Sequence, residues 1–502
     1  MSTFDSAREA VAAELIERHA IARALAADYT LWGDDPTELA DRLGWIPVVA
    51  DGLAALPALM ARCDALVENI DNVIVMGMGG SSLFPEVLAR TYEPSPGRPR
   101  LFVLDTTDPA AIERIADLCS PERTLHIASS KSGSTIETRS HLEWAWARAE
   151  GAGRFAVITD PGSALGDLAR QRGFAEVFEN RPDIGGRYSA LSLFGIVPGL
   201  VMGVDVAALL RGGLEALADS GPAVPPGENP ALCIASAIAA GVRVGRDKVT
   251  LLLDPAVESL GGWIEQLLAE SLGKEGTGAV PIVGEPLGPP EVYGADRLFL
   301  APEPQPELVA AGHPVIVLSS GPSPHDVGHL VVTMELATAL VGAAIGVQPF
   351  DQPNVAAAKA ATNAVLAEGG VAVAEESLAD LLMLVQPGDH LVLQVFGDPG
   401  GDDAALLEVT RLVLRDRLRV AVSLGFGPRF LHSTGQLHKG GPAAIVCVQA
   451  VSVDRQEIPI PGQDFGFGHL KHAQAAGDLR TLRGAGLRAG RVSWRELVEV
   501  AL

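Results

Sequence analysis

The sequence is short of cysteine and of positive charge, and each shortage excludes something. Its four cysteines, Cys63, Cys119, Cys233 and Cys447, lie far apart with no C-x-x-C pair. That spacing offers neither a disulfide framework nor a zinc site, and it fits buried free thiols in a reducing, cytoplasmic compartment. Lysine and arginine number 38 against 62 aspartates and glutamates, a formal net charge of −24. Such a balance repels polyanions and argues against nucleic acid or an anionic membrane as partners. No secretory leader is visible: the first residues, with Asp5, Arg8, Glu9, Glu14 and Glu17 among alanines, read as an amphipathic helix. The most apolar long segment, Leu330 to Val347, contains Glu335 and several small residues, and reads as a buried core helix rather than a membrane span.

What is present is enough for a large fold. The 502 residues, 48% of them hydrophobic, suffice for two or three domains with substantial cores. Residues 1–60 read as a helical segment. Strand-like runs then alternate with helices at Val73–Met76, Leu101–Leu104, Thr124–Ala128 and Phe155–Thr159, a rhythm that predicts an α/β domain with a parallel sheet over 61–218. A Gly- and Pro-rich gap, Asp219 to Pro230, marks a boundary. A second alternating block occupies 231–362, with strands at Val249–Leu253, Leu298–Leu300 and Val315–Leu318. Residues 363–502 form a C-terminal α/β extension with strands at Leu391–Gln394, Val420–Ser423 and Ala444–Val448.

The most informative stretch is Ser129-Ser130-Lys131-Ser132-Gly133-Ser134-Thr135-Ile136-Glu137-Thr138. It sets hydroxyls, a glycine and a lysine at the mouth of a strand, where a helix begins. Exposed helix N–H groups and small donors arranged so make a receptor for a phosphate group; the plain alternative is a polar turn with an N-cap. A second loop strengthens the phosphate reading: Val73-Ile74-Val75-Met76 feeds Gly77-Met78-Gly79-Gly80-Ser81-Ser82 and then a helix. A dinucleotide site competes here, because Leu101–Leu104 ends in Asp105 at the distance expected of a ribose ligand. The third glycine of that fingerprint, however, falls on Ser82. With so few cations available, a phosphorylated substrate turns attention to Lys131, Arg187, Lys274 and Lys359.

Three further segments carry catalytic residue types. Gly185-Gly186-Arg187-Tyr188-Ser189 can present a guanidinium inward to stabilise developing negative charge; the alternative is a surface arginine after a turn. In Glu265-Gln266-Leu267-Leu268-Ala269-Glu270-Ser271-Leu272-Gly273-Lys274, Gln266 and Glu270 share a helix face. A carboxylate buried there suits a general base, whereas on a solvated face Glu270 would simply pair with Lys274. The third, Phe350-Asp351-Gln352-Pro353-Asn354-Val355-Ala356-Ala357-Ala358-Lys359, leads through prolines into a helix with an isolated lysine.

Together these segments resemble the glucose-6-phosphate isomerase family, over about 70–205 and 250–362. The segments at 35–45 and 430–442, DPTELADRLGW and FLHSTGQLHKGGP, look more like the isomerase half of bacterial transaldolase–isomerase fusions. The resemblance implies two doubly wound parallel-sheet sugar-isomerase (flavodoxin-like) domains, with helices on both faces, ahead of the α/β extension. It implies interconversion of glucose 6-phosphate and fructose 6-phosphate through a cis-enediolate, in a cytoplasmic homodimer that needs no metal or organic cofactor. Carried over residue by residue, it places the sugar phosphate on Ser130, Ser132, Thr135 and Thr138 and the sugar beside Gly80 and Ser81. Glu270 becomes the proton-transferring base, Arg187 the partner of the enediolate, and Gln266, Gln352 and Lys359 further lining groups.

One departure stands out. The family opens the sugar ring with a histidine donated by a neighbouring subunit, and the segment after Glu270 here reads Lys274-Glu275-Gly276-Thr277-Gly278-Ala279-Val280-Pro281, without one. His432 is the replacement expected from this sequence; a metal pair of His432 with His438 lacks a carboxylate or cysteine at ligand spacing. The rival functions are a bifunctional phosphoglucose/phosphomannose isomerase, a non-catalytic sugar-phosphate sensor and an NAD-linked enzyme.

Overall fold

Apolar residues of the first strand alternate between two cores. Val73 and Val75 enter one, Ile74 and Met76 the other, so an unbroken apolar run is covered on both faces, as parallel sheets require. The computed structural model describes residues 2–502 except 152, 370 and 371; the side chains of 355–359 lie outside the described residues, and with them that of Lys359. The first sheet comprises β1 (Asn72–Met76), β2 (Arg100–Leu104), β3 (Thr124–Ser129), β4 (Arg154–Thr159) and β5 (Glu176–Glu179), all parallel, in the order β2-β1-β3-β4-β5. Val75 sits level with Val103 on one side and Ile127 on the other.

That order reverses direction between β1 and β3, and open α/β sheets bind ligands in the crevice at such a switch point. The loops leaving the carboxyl ends of β1 and β3 are the two phosphate-receptor candidates of the sequence.

A second parallel sheet, β6 (Lys248–Leu251), β7 (Val280–Ile282), β8 (Arg297–Ala301) and β9 (Val315–Val317), has the order β7-β6-β8-β9. The C-terminal extension is itself a third parallel sheet: β10 (His390–Phe396), β11 (Ala421–Phe426), β12 (Ile445–Val451) and β13 (Arg488–Arg491), ordered β11-β10-β12-β13. The strands that sequence periodicity passes over are β5, β7 and β13. All three are edge strands: β5 and β13 are bounded by charged residues, and β7 is three residues around Pro281, so none shows a sustained apolar run.

The helix Pro324–Ile345 is long and apolar enough to cross a membrane, and it lies buried within the protein. Cys63, Cys119 and Cys447 are buried and Cys233 is partly exposed, all as free thiols.

The C-terminal third unit, built on the third sheet, docks on the first through ion pairs, one of them fully buried. Lys471, fully buried, donates to Asp108 Oδ2 (2.8 Å) and to Asp454 Oδ1 (2.5 Å). Arg429 reaches Glu86 Oε2 (2.6 Å) and Asp105 Oδ1 (2.8 Å). Asp105 is therefore occupied by an arginine of the third unit, which removes the ribose ligand that a dinucleotide reading requires.

Candidate active site

The helix Leu260–Leu272 positions the central carboxylate. Leu260, Trp263, Ile264, Leu267 and Leu268 bury its apolar side, and it stops at Gly273, where a Cβ would lie 2.6 Å from Leu437 Cα. The last turn carries Glu270, only 7% exposed. Glu270 does not pair with Lys274. The Lys274 ammonium, also buried, turns to the carbonyl of Asp351 (2.7 Å), the carbonyl of Gln348 and the Asp351 carboxylate. Burial, and next the charge of Arg187, lower this lysine to about 8, with Asp351 opposing. Lys274 thus clamps the 348–351 loop instead of quenching the carboxylate.

Arg187 takes the place beside Glu270. It sits on a single 3-10 turn, Gly186–Tyr188, and is 3% exposed. Its Nε lies 3.4 Å from Glu270 Oε2, and Nη1 donates to the Glu270 carbonyl at 2.6 Å. The remaining N–H groups reach the carbonyls of Pro349 (3.3 Å), Phe350 (3.4 Å) and Asp351 (3.1 Å). A guanidinium held by carbonyls on several sides is fixed in place. The turn carrying it is pressed against the first loop: a Cβ on Gly80 would stand 1.8 Å from the Gly186 carbonyl oxygen. Only glycine fits there. Neighbouring Gly79 has φ +56° and lies against the His432 carbonyl and the Gln266 amide, so the β1 loop supports the site through its backbone. Ser81 is buried in the same turn.

Gln266, one turn before Glu270, joins two units. Its Nε2 donates to Glu270 Oε2 (3.1 Å) and to the His432 carbonyl (2.9 Å), while its buried Oε1 has no hydrogen-bond partner among the described residues. His432 belongs to a short 3-10 turn, Arg429–His432, and its Nε2 donates to Glu137 Oε1 at 2.9 Å. Glu137 is buried in the first turn of the helix Ile136–Ala149. Burial works against its charge, but the adjacent His432 outweighs it and holds the carboxyl below the ordinary glutamate range. The result is one connected line of polar groups, running from Glu137 through His432 and Gln266 to Glu270 and Arg187.

The hydroxyl loop lies at the start of that same helix. Ser130 Oγ is 3.1 Å from Thr135 Oγ1 and accepts the Gly133 N–H at 3.2 Å, and Gly133 has φ +69°. Ser132 is exposed and bonded to Ser134 (3.0 Å). The buried hydroxyls of Ser129 and Thr138 have no partner among the described residues. Lys131 is turned away, its Nζ donating to Asp160 Oδ2 (2.5 Å) and to the Pro182 carbonyl (2.7 Å). Gln352 is exposed, and the hydrogen-bonded line does not include it. His438 lies inside the third unit, accepting from Gln394 Nε2 at 3.2 Å, with Nδ1 as acceptor.

The sequence pattern of the phosphoglucose isomerase family matches residues 63–288. A glucose-6-phosphate isomerase of Rubrobacter xylanophilus is 30% identical over 392 residues, covering 64% of this chain and 90% of the relative. The chain belongs to the glucose-6-phosphate isomerase family. A probable glucose-6-phosphate isomerase of Haloarcula marismortui is 30% identical over 60% of this chain and 79% of its own length. That of Thermosynechococcus vestitus is 36% identical over 41% of each chain. Among solved structures, a hypothetical protein of Thermus thermophilus superposes with a TM-score of 0.60 at 27% identity, covering 70% of this chain and 97% of that one. A glucose-6-phosphate isomerase of Chlamydia trachomatis shares the fold, with a TM-score of 0.55 at 19% identity over 72% of this chain and 86% of the other.

Within this family fold, sequence reading passes over four groups: Glu137, Gln474, Arg429 and Glu265. Glu137 stands inside the hydroxyl motif, which draws attention to its small donors and not to its carboxylate, and nothing local points to a histidine partner. Gln474 and Arg429 come from the third unit, and only the tertiary docking reveals them. Glu265, half-buried on the base-bearing helix near Arg411 and Arg429, was overlooked too. Burial pushes its carboxyl from the ordinary 4.5 up to about 7, against the pull of the two arginines. A carboxyl raised on folding favours the native state fully below its unfolded pKa, and that contribution is lost as pH rises through the folded value. Glu265→Gln should therefore flatten the fall in thermal midpoint between about pH 4.5 and about pH 7. An unchanged pH dependence in the variant would contradict this.

Proposed function

We propose that the chain is a glucose-6-phosphate isomerase, interconverting glucose 6-phosphate and fructose 6-phosphate in glycolysis and gluconeogenesis. The observation that carries the reading is the buried Glu270 carboxylate held between Gln266 and Arg187 at 3.1 Å and 3.4 Å, with the hydroxyl loop joined to it through His432 and Glu137. A single base beside a fixed positive charge is what aldose–ketose isomerisation needs: a proton moves between adjacent carbons while negative charge grows on the oxygens.

In this reading the phosphate rests on Ser130, Ser132, Thr135 and Thr138, the last without a hydrogen-bond partner among the described residues, at the start of a 14-residue helix whose N–H groups favour an anion. Gly80 and Ser81 border the sugar, and Gln266 Oε1, which has no hydrogen-bond partner among the described residues, accepts a substrate hydroxyl. His432 gives a proton to the ring oxygen and takes one from the anomeric hydroxyl, its Nε2 anchored on Glu137. Glu270 removes the C2 proton and returns it at C1. Arg187 stabilises the enediolate by its charge, since its N–H groups are already engaged by carbonyls. Gln352 and Lys359 border the site from the 350–359 segment. A homodimer in the cytoplasm belongs to the same proposal.

A coupled assay with fructose 6-phosphate tests the reading, with mannose 6-phosphate run in parallel to detect a second specificity. Thr138→Val should raise KM about tenfold with kcat nearly unchanged, the loss of one hydrogen bond to a charged group. An unchanged KM would remove Thr138 from the phosphate site.

A further inference from the structure

Glu137 receives a second hydrogen bond, from outside the elements the family resemblance covers. Gln474, on the helix Phe467–Gly484 of the third unit, donates its Nε2 to Glu137 Oε1 at 2.6 Å, the same oxygen that accepts His432 Nε2 at 2.9 Å. The other end of the Gln474 amide is held too: Thr107 Oγ1, on the loop after β2, donates to Gln474 Oε1 at 2.8 Å. Glu137, Gln474 and Thr107 are all at most 3% exposed. A primary amide has both donors and an acceptor, and with Oε1 taken by a hydroxyl its orientation is set so that the NH₂ must face the carboxylate.

We propose that Gln474 is a positioning residue for ring opening: it orients the Glu137 carboxylate, and through it the His432 imidazole, so that the third unit is a working part of the isomerase site. This rests on His432 being the ring-opening group. With Nε2 committed to Glu137, the Nδ1 of His432, which makes no hydrogen bond among the described residues, is the nitrogen that exchanges a proton with the sugar. A carboxylate that accepts from both an imidazole and an amide keeps one rotamer and one tautomer of its histidine. His141, one turn along the helix from Glu137, donates Nε2 to the Thr106 carbonyl at 2.8 Å and is lowered by burial to about 4, so it stays neutral across the working pH range. Gln474 faces Glu137 from the third unit's helix and His432 from the 429–432 turn.

The arrangement explains why the third unit is bolted to the first by Lys471 and Arg429. Both the histidine and the amide that fix the Glu137 pair come from that unit, and a small displacement would break both bonds at once. A site of this kind is assembled within one chain from the 130–138 loop, the 260–272 helix and the third unit.

The test compares Gln474→Leu, Thr107→Val and His432→Asn by steady-state kinetics and by NMR exchange between the two anomers of glucose 6-phosphate, which requires ring opening but no C2 proton transfer. Gln474→Leu should lower kcat and anomer exchange together by about tenfold, with KM within about twofold. It should also move the acid limb of the kcat/KM profile to higher pH, because Glu137 loses a donor to its charged form. Thr107→Val should shift the acid limb in the same direction by less, and it decides the matter if Gln474→Leu does not fold. Folded variants with unchanged exchange and acid limb overturn the role of Gln474 when His432→Asn abolishes exchange. Undiminished exchange in His432→Asn overturns instead the assignment of His432.

Discussion

Glu270→Gln is expected to lower kcat by about a thousandfold, within the range by which a positioned general base accelerates proton transfer. The substitution is nearly isosteric. Its side-chain oxygen can still accept from Gln266 Nε2 and Arg187 Nε, which now lie 3.1 Å and 3.4 Å from Glu270 Oε2. The fold and the phosphate receptor stay in place, and KM should change little. What disappears is the group in the line that can take a proton from carbon while flanked by a fixed cation. Incubating fructose 6-phosphate with the variant in deuterated water reads this directly, since a base that shuttles between C2 and C1 exchanges part of its proton with solvent. Retained exchange in Glu270→Gln would show that another residue is the base.

The second large effect is expected at Arg187, and it should appear in two measurements together. Arg187→Met removes the charge beside the enediolate, at a cost of about 100- to 1000-fold in kcat. It also leaves Glu270 buried without its partner and strips the Pro349, Phe350 and Asp351 carbonyls of a donor. Breaking a buried pair in this way costs about 3–5 kcal/mol of stability, so the denaturant midpoint should fall along with activity. Arg187→Lys keeps the charge but reaches fewer of these acceptors, and it should fall between the two in both readouts. A lysine variant matching the parent in kcat and midpoint would mean that neither the fork geometry nor the loop contacts matter.

Much of this site could be read from local sequence because its parts are local motifs. The loops after β1 and β3 announce themselves through glycine and hydroxyl density at strand ends, and their convergence follows from the observed strand order β2-β1-β3-β4-β5. Gln266 and Glu270 were placed on one face by helical spacing alone. Other features depend on contacts made across the fold. Glycine is required at Gly80 by the Gly186 carbonyl, over a hundred residues away in sequence, and Lys274 is drawn from Glu270 to the 348–351 loop by acceptors that no spacing rule connects to it. The edge strands β5, β7 and β13 were hidden because edges tolerate charge and proline. The third sheet was visible only as an α/β extension. Its part in the site through His432 is expected from the 430–442 segment, whereas that of Gln474 depends on docking that leaves no periodic trace.

The central claim is that Glu270 works on C1 and C2 of a sugar whose phosphate rests on the 130–138 loop. The most direct measurement is a crystal structure with an open-chain aldonic acid phosphate, whose carboxylate stands for the enediolate oxygens. The account predicts the phosphate within hydrogen-bonding distance of the hydroxyls of Ser130, Thr135 and Thr138, and a Glu270 oxygen within about 3.2 Å of the carbon that mimics C1 or C2. A phosphate seated elsewhere, or a Glu270 carboxylate remote from those carbons, would contradict it.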